Sequence, residues 1–119
     1  VAPQGLHDIL TRLHADYDLK DIYVAENGAA FDDTLLPGPV VHDPERREYY
    51  AAHLEAAGRA MAGGVPLSAY MAWSLLDNFE WGWGYTRRFG IVHVDYPTQR
   101  RTPKSSALWY RDFIAAQRP

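Results

Sequence analysis

Two short apolar runs constrain this chain more than any other feature. Ile22-Tyr23-Val24-Ala25 is β-branched and aromatic, and Leu67-Ser68-Ala69-Tyr70-Met71-Ala72-Trp73-Ser74 is apolar with small residues interleaved. Both read as buried strands, the first covered on both faces. Between them lies a helical pattern: Asp43 and Pro44 supply an N-cap and a first-turn proline, and Tyr50, Leu54, Ala57 and Met61 repeat at i, i+4, i+7 and i+11. Gly63-Gly64 ends that helix and Pro66 prevents its continuation. Strands joined through a helix must run parallel. Two parallel strands by themselves each keep an unpaired edge, so the pattern predicts part of a larger sheet.

The flanking segments extend the alternation. Pro3 followed by Leu6, Ile9, Leu10, Leu13 and Tyr17 predicts a helix from about Pro3 to about Tyr17, with a turn at Asp18-Leu19-Lys20-Asp21. Ala29 to His42, with Pro37-Gly38-Pro39 and two aspartates, reads as a surface loop. Phe89 to Tyr96 alternates and runs into Pro97-Thr98, which predicts an extended arm or hairpin. Thr102 is expected to cap a last helix, with Pro103 in its first turn and Leu108, Trp109, Phe113 and Ile114 buried. The order is helix, strand, helix, strand, arm, helix, without internal repeat, and residues 1–119 are expected to form one unit with no separate domains.

Composition narrows the function classes. With 47% hydrophobic and 13% aromatic residues the chain has the material for a core, which excludes a disordered or collagen-like chain. A net charge of −3 without a basic stripe argues against nucleic acid and against an anionic membrane surface. Neither a transmembrane run nor a signal peptide is expected, and because residue 1 is Val rather than Met, the natural gene is expected to begin elsewhere. The absence of cysteine excludes disulfides and thiolate metal sites and fits a cytoplasmic location. His42, His53 and His93 lack acidic partners at ligand spacing, so no metal site is expected; they read as surface or satisfied core histidines. Arg46, Arg47 and Tyr49 read as a solvated or interface-facing side of the second helix.

Chemistry concentrates just after each strand. Trp73 to Phe89 holds three of the four tryptophans among Asp77, Asn78 and Glu80. Burying such polar groups without partners costs on the order of 2–7 kcal/mol each, so the stretch is not ordinary core. It reads either as an aromatic-rich packed loop or as a surface for a sugar or polyol, whose C–H face stacks on indole while carboxylates fix its hydroxyls. Glu26 follows the first run directly, in Glu26-Asn27-Gly28. A carboxylate at the C-terminal end of a parallel strand can serve as a nucleophile or general acid/base, or simply cap a helix or pair with an arginine.

Tyr23-Val24-Ala25-Glu26-Asn27-Gly28 followed by Trp73-Ser74-Leu75-Leu76-Asp77-Asn78-Phe79-Glu80-Trp81 resembles the last part of the family 1 glycoside hydrolases, the retaining β-glucosidases. Phe89-Gly90-Ile91-Val92-His93-Val94-Asp95-Tyr96 and Arg101-Thr102-Pro103-Lys104-Ser105-Ser106-Ala107-Leu108-Trp109-Tyr110 are similar to that family's ending, so the resemblance covers essentially the whole chain. It implies an α/β fold, about the last two strand-helix units of a (β/α)8 TIM barrel. It also implies a β-glycoside substrate with terminal β-D-glucosyl, β-D-galactosyl or β-D-fucosyl residues, and no cofactor. By the same resemblance Glu26 matches the catalytic nucleophile, Glu80 and Trp81 match residues that bind outer sugar hydroxyls, Trp73 the stacking floor and Phe89 the wall. Asp77 and Asn78 are expected to shape the loop, and Trp83 and Tyr85 to pack or to face an aglycone.

The chain departs from the family pattern in two ways. Ala25 stands where a Thr is usual, which removes a hydroxyl but leaves the carboxylate. The Thr-x-Asn-Glu-Pro block carrying the acid/base is absent, as are the Gln, the His-Trp pair and the nucleophile's tyrosine partner. Retaining hydrolysis uses two carboxyls about 5–5.5 Å apart, and no second acid here matches. A barrel needs roughly 250 residues, so the remainder of the barrel, from the same precursor or another chain, is the expected partner. The alternative expectation is a non-catalytic sugar-binding module, or a homo-oligomer that covers the exposed strand edges.

Overall fold

The computed structural model describes every residue except Thr34, Arg118 and Pro119. Helix α1 (Pro3–Asp16) leads into β1 (Ile22–Asn27), α2 (Pro44–Ala62) and β2 (Leu67–Ala72). A short 3₁₀ turn (Trp81–Trp83) follows, then β3 (Val92–Asp95), β4 (Arg100–Pro103) and α3 (Ser105–Ala116). β1 and β2 pair in parallel, and β3 and β4 form an antiparallel hairpin from Val92↔Pro103 to Asp95↔Arg100. The expected arm is therefore a hairpin. Its turn places Gln99 at φ 61°, where the Gln99 N–H donates to the Asp95 carbonyl at 2.7 Å.

The core lies between the parallel pair and the first two helices. Leu10 of α1, Ile22 and Leu67 of the strands, Ala57 and Ala60 of α2, and Val65 form one buried cluster, with Leu6, Leu13 and Val24 against it. The alanines of α2 let α1 approach closely along an i, i+3 face. α3 docks on α2 through Tyr110, whose ring stacks on buried Tyr50 at 5.9 Å and whose hydroxyl donates to the Tyr70 carbonyl at 3.2 Å. Among the described residues no helix is long and apolar enough to cross a membrane.

Four expectations need correction. The strands are not covered on both faces: Tyr23 is 58% exposed and Met71 48% exposed. With two strands paired among the described residues, only the helix-facing side of the sheet has a second layer. Thr102 and Pro103 belong to β4, and α3 starts at Ser105; of its expected core positions Leu108, Trp109 and Phe113 are half-buried and Ile114 is exposed. Asp43 does occupy the N-cap position of α2, but its side chain does not cap that helix. Its carboxylate reaches the start of α3 instead, accepting from Ser106 N at 2.8 Å and from the hydroxyls of Ser105 and Ser106 at 2.7 and 2.5 Å. The fourth correction concerns Arg46, which is fully buried, whereas Arg47 is exposed and Tyr49 half-buried.

Candidate functional site

Parallel pairing puts both candidate segments at one rim. Asn27 pairs with Ala72, and Trp73 N donates to the Asn27 carbonyl at 2.8 Å, so Glu26 and Trp73 leave the sheet side by side. The register explains why Glu26 is not packed inward. From Val24 to Asn27 the first strand advances three residues while the second, from Tyr70 to Ala72, advances two. This extra residue breaks the alternation that would place Glu26 on the face of Ile22 and Val24, and Glu26 is exposed. Its neighbour Asn27 is fixed by the Tyr70 hydroxyl, which donates to Oδ1 at 2.6 Å.

The Trp73 carbonyl is where the two segments lock. Tyr50, fully buried on α2, donates its hydroxyl to it at 2.9 Å. Burial pushes the Tyr50 phenol well above its usual range, so it stays a donor at any physiological pH. Gly28 passes so close that a Cβ there would lie 1.8 Å from the same oxygen. Gly28→Ala is accordingly expected to destabilise the chain by at least about 1–3 kcal/mol through overpacking, read from the denaturant midpoint. Tyr50→Phe should cost only about 1 kcal/mol, because the lost bond is neutral.

Beyond Trp73, whose peptide bond to Ser74 is cis, the chain runs along the arm. Ser74 N donates to the Phe89 carbonyl at 3.2 Å, Ile91 N to Ser74 O at 2.8 Å, and Asp77 N to Val92 O at 3.1 Å. Phe89 is thus held next to the Trp73–Ser74 corner and is half-buried. Glu80 is half-buried, and its N–H closes a tight loop on the Gly84 carbonyl at 2.7 Å. Trp81, at φ 44°, is 85% exposed. Tyr85 packs between Phe79 and Tyr96, with ring centroids 5.4 and 4.6 Å away, while Trp83 is exposed beneath the Arg87 guanidinium at 4.7 Å.

A buried ionic cluster, which sequence pattern did not reveal, anchors this loop. Asp77 accepts from Lys104 Nζ at 2.9 Å, Arg88 at 2.6 Å, Gly90 N at 3.0 Å and Val94 N at 3.3 Å. Lys104, fully buried, also lies 2.5 Å from Asp33, which takes a 2.7 Å bond from Arg46. Arg46 binds Asp43 at 2.6 Å and the Arg88 carbonyl at 2.8 Å. Three cations thus face three carboxylates. Burial alone would raise the Asp77 pKa, but the bonds and charges of Lys104 and Arg88 hold it below its ordinary value. The expectation that Asp77 shapes the loop is met through this cluster, whose partners lie up to 71 residues apart in sequence.

His93 is buried at the same hairpin, and burial followed by the charge of Arg88 lowers its pKa. A depressed folded pKa means the unfolded chain takes up the proton first, so stability should fall as pH drops below about 6.5. His93→Gln should flatten that part of a stability-versus-pH curve measured by urea unfolding.

The fold and rim define a wedge of a parallel β/α enzyme scaffold, with a carboxylate after one strand and an acid-and-indole loop after the next. The chain belongs to glycosyl hydrolase family 1, whose family model matches residues 1–119. It is 50% identical to a 1,4-beta-D-glucan glucohydrolase of Thermotoga neapolitana over 96% of this chain and 26% of that protein. It superposes on a β-glucosidase from Thermotoga maritima in complex with glucoimidazole with a TM-score of 0.93, at 48% identity over 95% of this chain and 26% of that one. For a psychrophilic β-glucosidase from Micrococcus antarcticus the TM-score is 0.95, at 53% identity over 98% and 25% of the two chains. The chain therefore spans about a quarter of the length of these relatives, and its two strand-helix units are part of a TIM barrel.

Proposed function

We infer that residues 1–119 supply one catalytic carboxylate and most of the glycone pocket of a retaining β-glycosidase that hydrolyses terminal β-D-glucosyl residues. The observation that carries this reading is the shared rim: parallel pairing of β1 and β2 opens Glu26 and the Trp73–Phe89 loop on the same side. In this reading Glu26 attacks the anomeric carbon and the aglycone leaves with a proton from an acid on the remainder of the barrel. Water then opens the glycosyl-enzyme ester, giving its proton back to that second group and restoring the Glu26 carboxylate. Glu80 accepts bonds from outer hydroxyls, Trp81 donates its indole N–H to one, Trp73 stacks on the ring and Phe89 closes the wall. All 119 residues act as one piece of the barrel, and the chain by itself lacks the acid/base and does not turn over.

The test joins residues 1–119 to the N-terminal three-quarters of the Thermotoga maritima β-glucosidase. The joined protein should hydrolyse an aryl β-D-glucoside, with β-glucose as the first product seen by proton NMR, while the 119-residue chain alone releases none. A folded joined protein that is inert, or that releases α-glucose first, would overturn the reading.

A further inference from the structure

Glu80 does not stand alone in its loop. Asn78 donates from Nδ2 to Glu80 Oε2 at 3.2 Å and to the Phe79 carbonyl at 3.1 Å, while its Oδ1 accepts from Ser74 Oγ at 2.9 Å. These partners set the amide's orientation. Carbonyl and carboxylate oxygens only accept, so the NH2 must face them; a flipped amide would point oxygen at carboxylate. Ser74 is buried, and its hydroxyl also lies 2.7 Å from the Leu76 carbonyl, so its one proton is shared between that oxygen and Asn78.

We propose that Asn78, oriented by Ser74, is a positioning residue for Glu80 and thereby sets discrimination between sugars that differ in one outer hydroxyl. The proposal rests on the reading of Glu80 given above. With Oε2 held by Asn78, the carboxylate is kept in one orientation, and Oε1 together with the second lone pair of Oε2 faces the sugar hydroxyls. A fixed acceptor rewards one hydroxyl direction and misses its epimer, whereas a freely turning carboxylate follows either one. Asn78 acts through Glu80 and touches no reacting atom.

The experiment compares kcat/KM for aryl β-D-glucoside and aryl β-D-galactoside in the joined protein. Asn78→Ala should change the ratio of the two by about tenfold, the value of one well-aligned hydrogen bond near 1.4 kcal/mol. Ser74→Ala, which keeps the amide but frees its rotation, should move the ratio the same way by less, and it serves if Asn78→Ala does not fold. Equal loss on both substrates, leaving the ratio within about twofold, would mark Asn78 as merely structural and overturn the proposal. A second readout uses the 119-residue chain: the Asn78 side-chain amide signals should shift as Glu80 is protonated and stay still in Glu80→Gln. Signals indifferent to Glu80 would also overturn it. An inactive joined protein with native sequence counts instead against the functional reading, and the amide signals still decide whether Asn78 holds Glu80.

Discussion

Glu26→Gln in the joined barrel is expected to lower kcat for an aryl β-glucoside by on the order of 10⁴-fold or more, the scale on which removal of a covalent nucleophile is felt. The amide nearly matches the carboxylate in size, and Glu26 is exposed at the rim without a structural ion pair among the described residues, so the fold should survive. Circular dichroism and the unfolding midpoint should be unchanged within about 0.5 kcal/mol, as for surface substitutions generally. A second variant separates a nucleophile from a residue that merely supports one. Glu26→Gly leaves room for a small anion on the face from which the carboxylate attacks. Added azide should then displace an activated aryl leaving group and yield the α-glucosyl azide, whose inverted configuration reports attack from that face. Retained activity in Glu26→Gln, or no azide product from Glu26→Gly, would remove Glu26 from the reaction.

The elements were legible because their signals are local. Pro3 and Pro44 at helix starts, Gly63-Gly64 at a helix end and the two apolar runs each act within a few residues, and the structure places α1, α2, β1 and β2 accordingly. Parallel pairing was legible for a topological reason, since a helix crossover permits nothing else. The failures share a different cause. Arg46 reads as a solvated or interface-facing cation in sequence and nothing there marks Lys104, but both are fully buried, because their partners Asp33, Asp43 and Asp77 arrive from other segments. Thr102 reads as a cap in sequence, but Asp43, about 60 residues earlier, supplies the carboxylate that a local cap would have provided. Glu26's exposure could not be read from alternation either; it depends on an irregularity of register that exists only when β1 is paired with β2. Local pattern thus marked the two candidate segments, while their supports are set by tertiary pairing.

Lys104→Met should be among the most destabilising single substitutions in the chain. The thioether fills most of the lysine's volume, so the loss reports charge rather than a cavity. It removes one of the two cations from each of Asp33 and Asp77, whose side chains are at most 2% exposed and which keep only Arg46 and Arg88, and breaking a buried ion pair costs up to about 3–5 kcal/mol. Two further measurements identify the mechanism. In the native chain Asp77's folded pKa lies below its ordinary 3.8, so its contribution is fully present above that pH and is lost as pH falls through the folded value. Without Lys104 the burial that already opposes ionisation dominates, and the folded pKa should move upward. The variant's deficit should therefore shrink as pH drops below about 4, where Asp77 can be protonated. Asp77→Asn placed on Lys104→Met should recover part of the loss, whereas alone it should destabilise, giving a coupling energy of opposite sign to its single effect. Because Asp77 also holds Gly90 N, Val94 N and Arg88, amide exchange in Lys104→Met should accelerate first from Asp77 to Val94 and only later in α1. A penalty independent of pH, with no recovery in the double variant, would mean that Lys104 acts through packing and that the cluster does not hold the Trp73–Phe89 loop electrostatically.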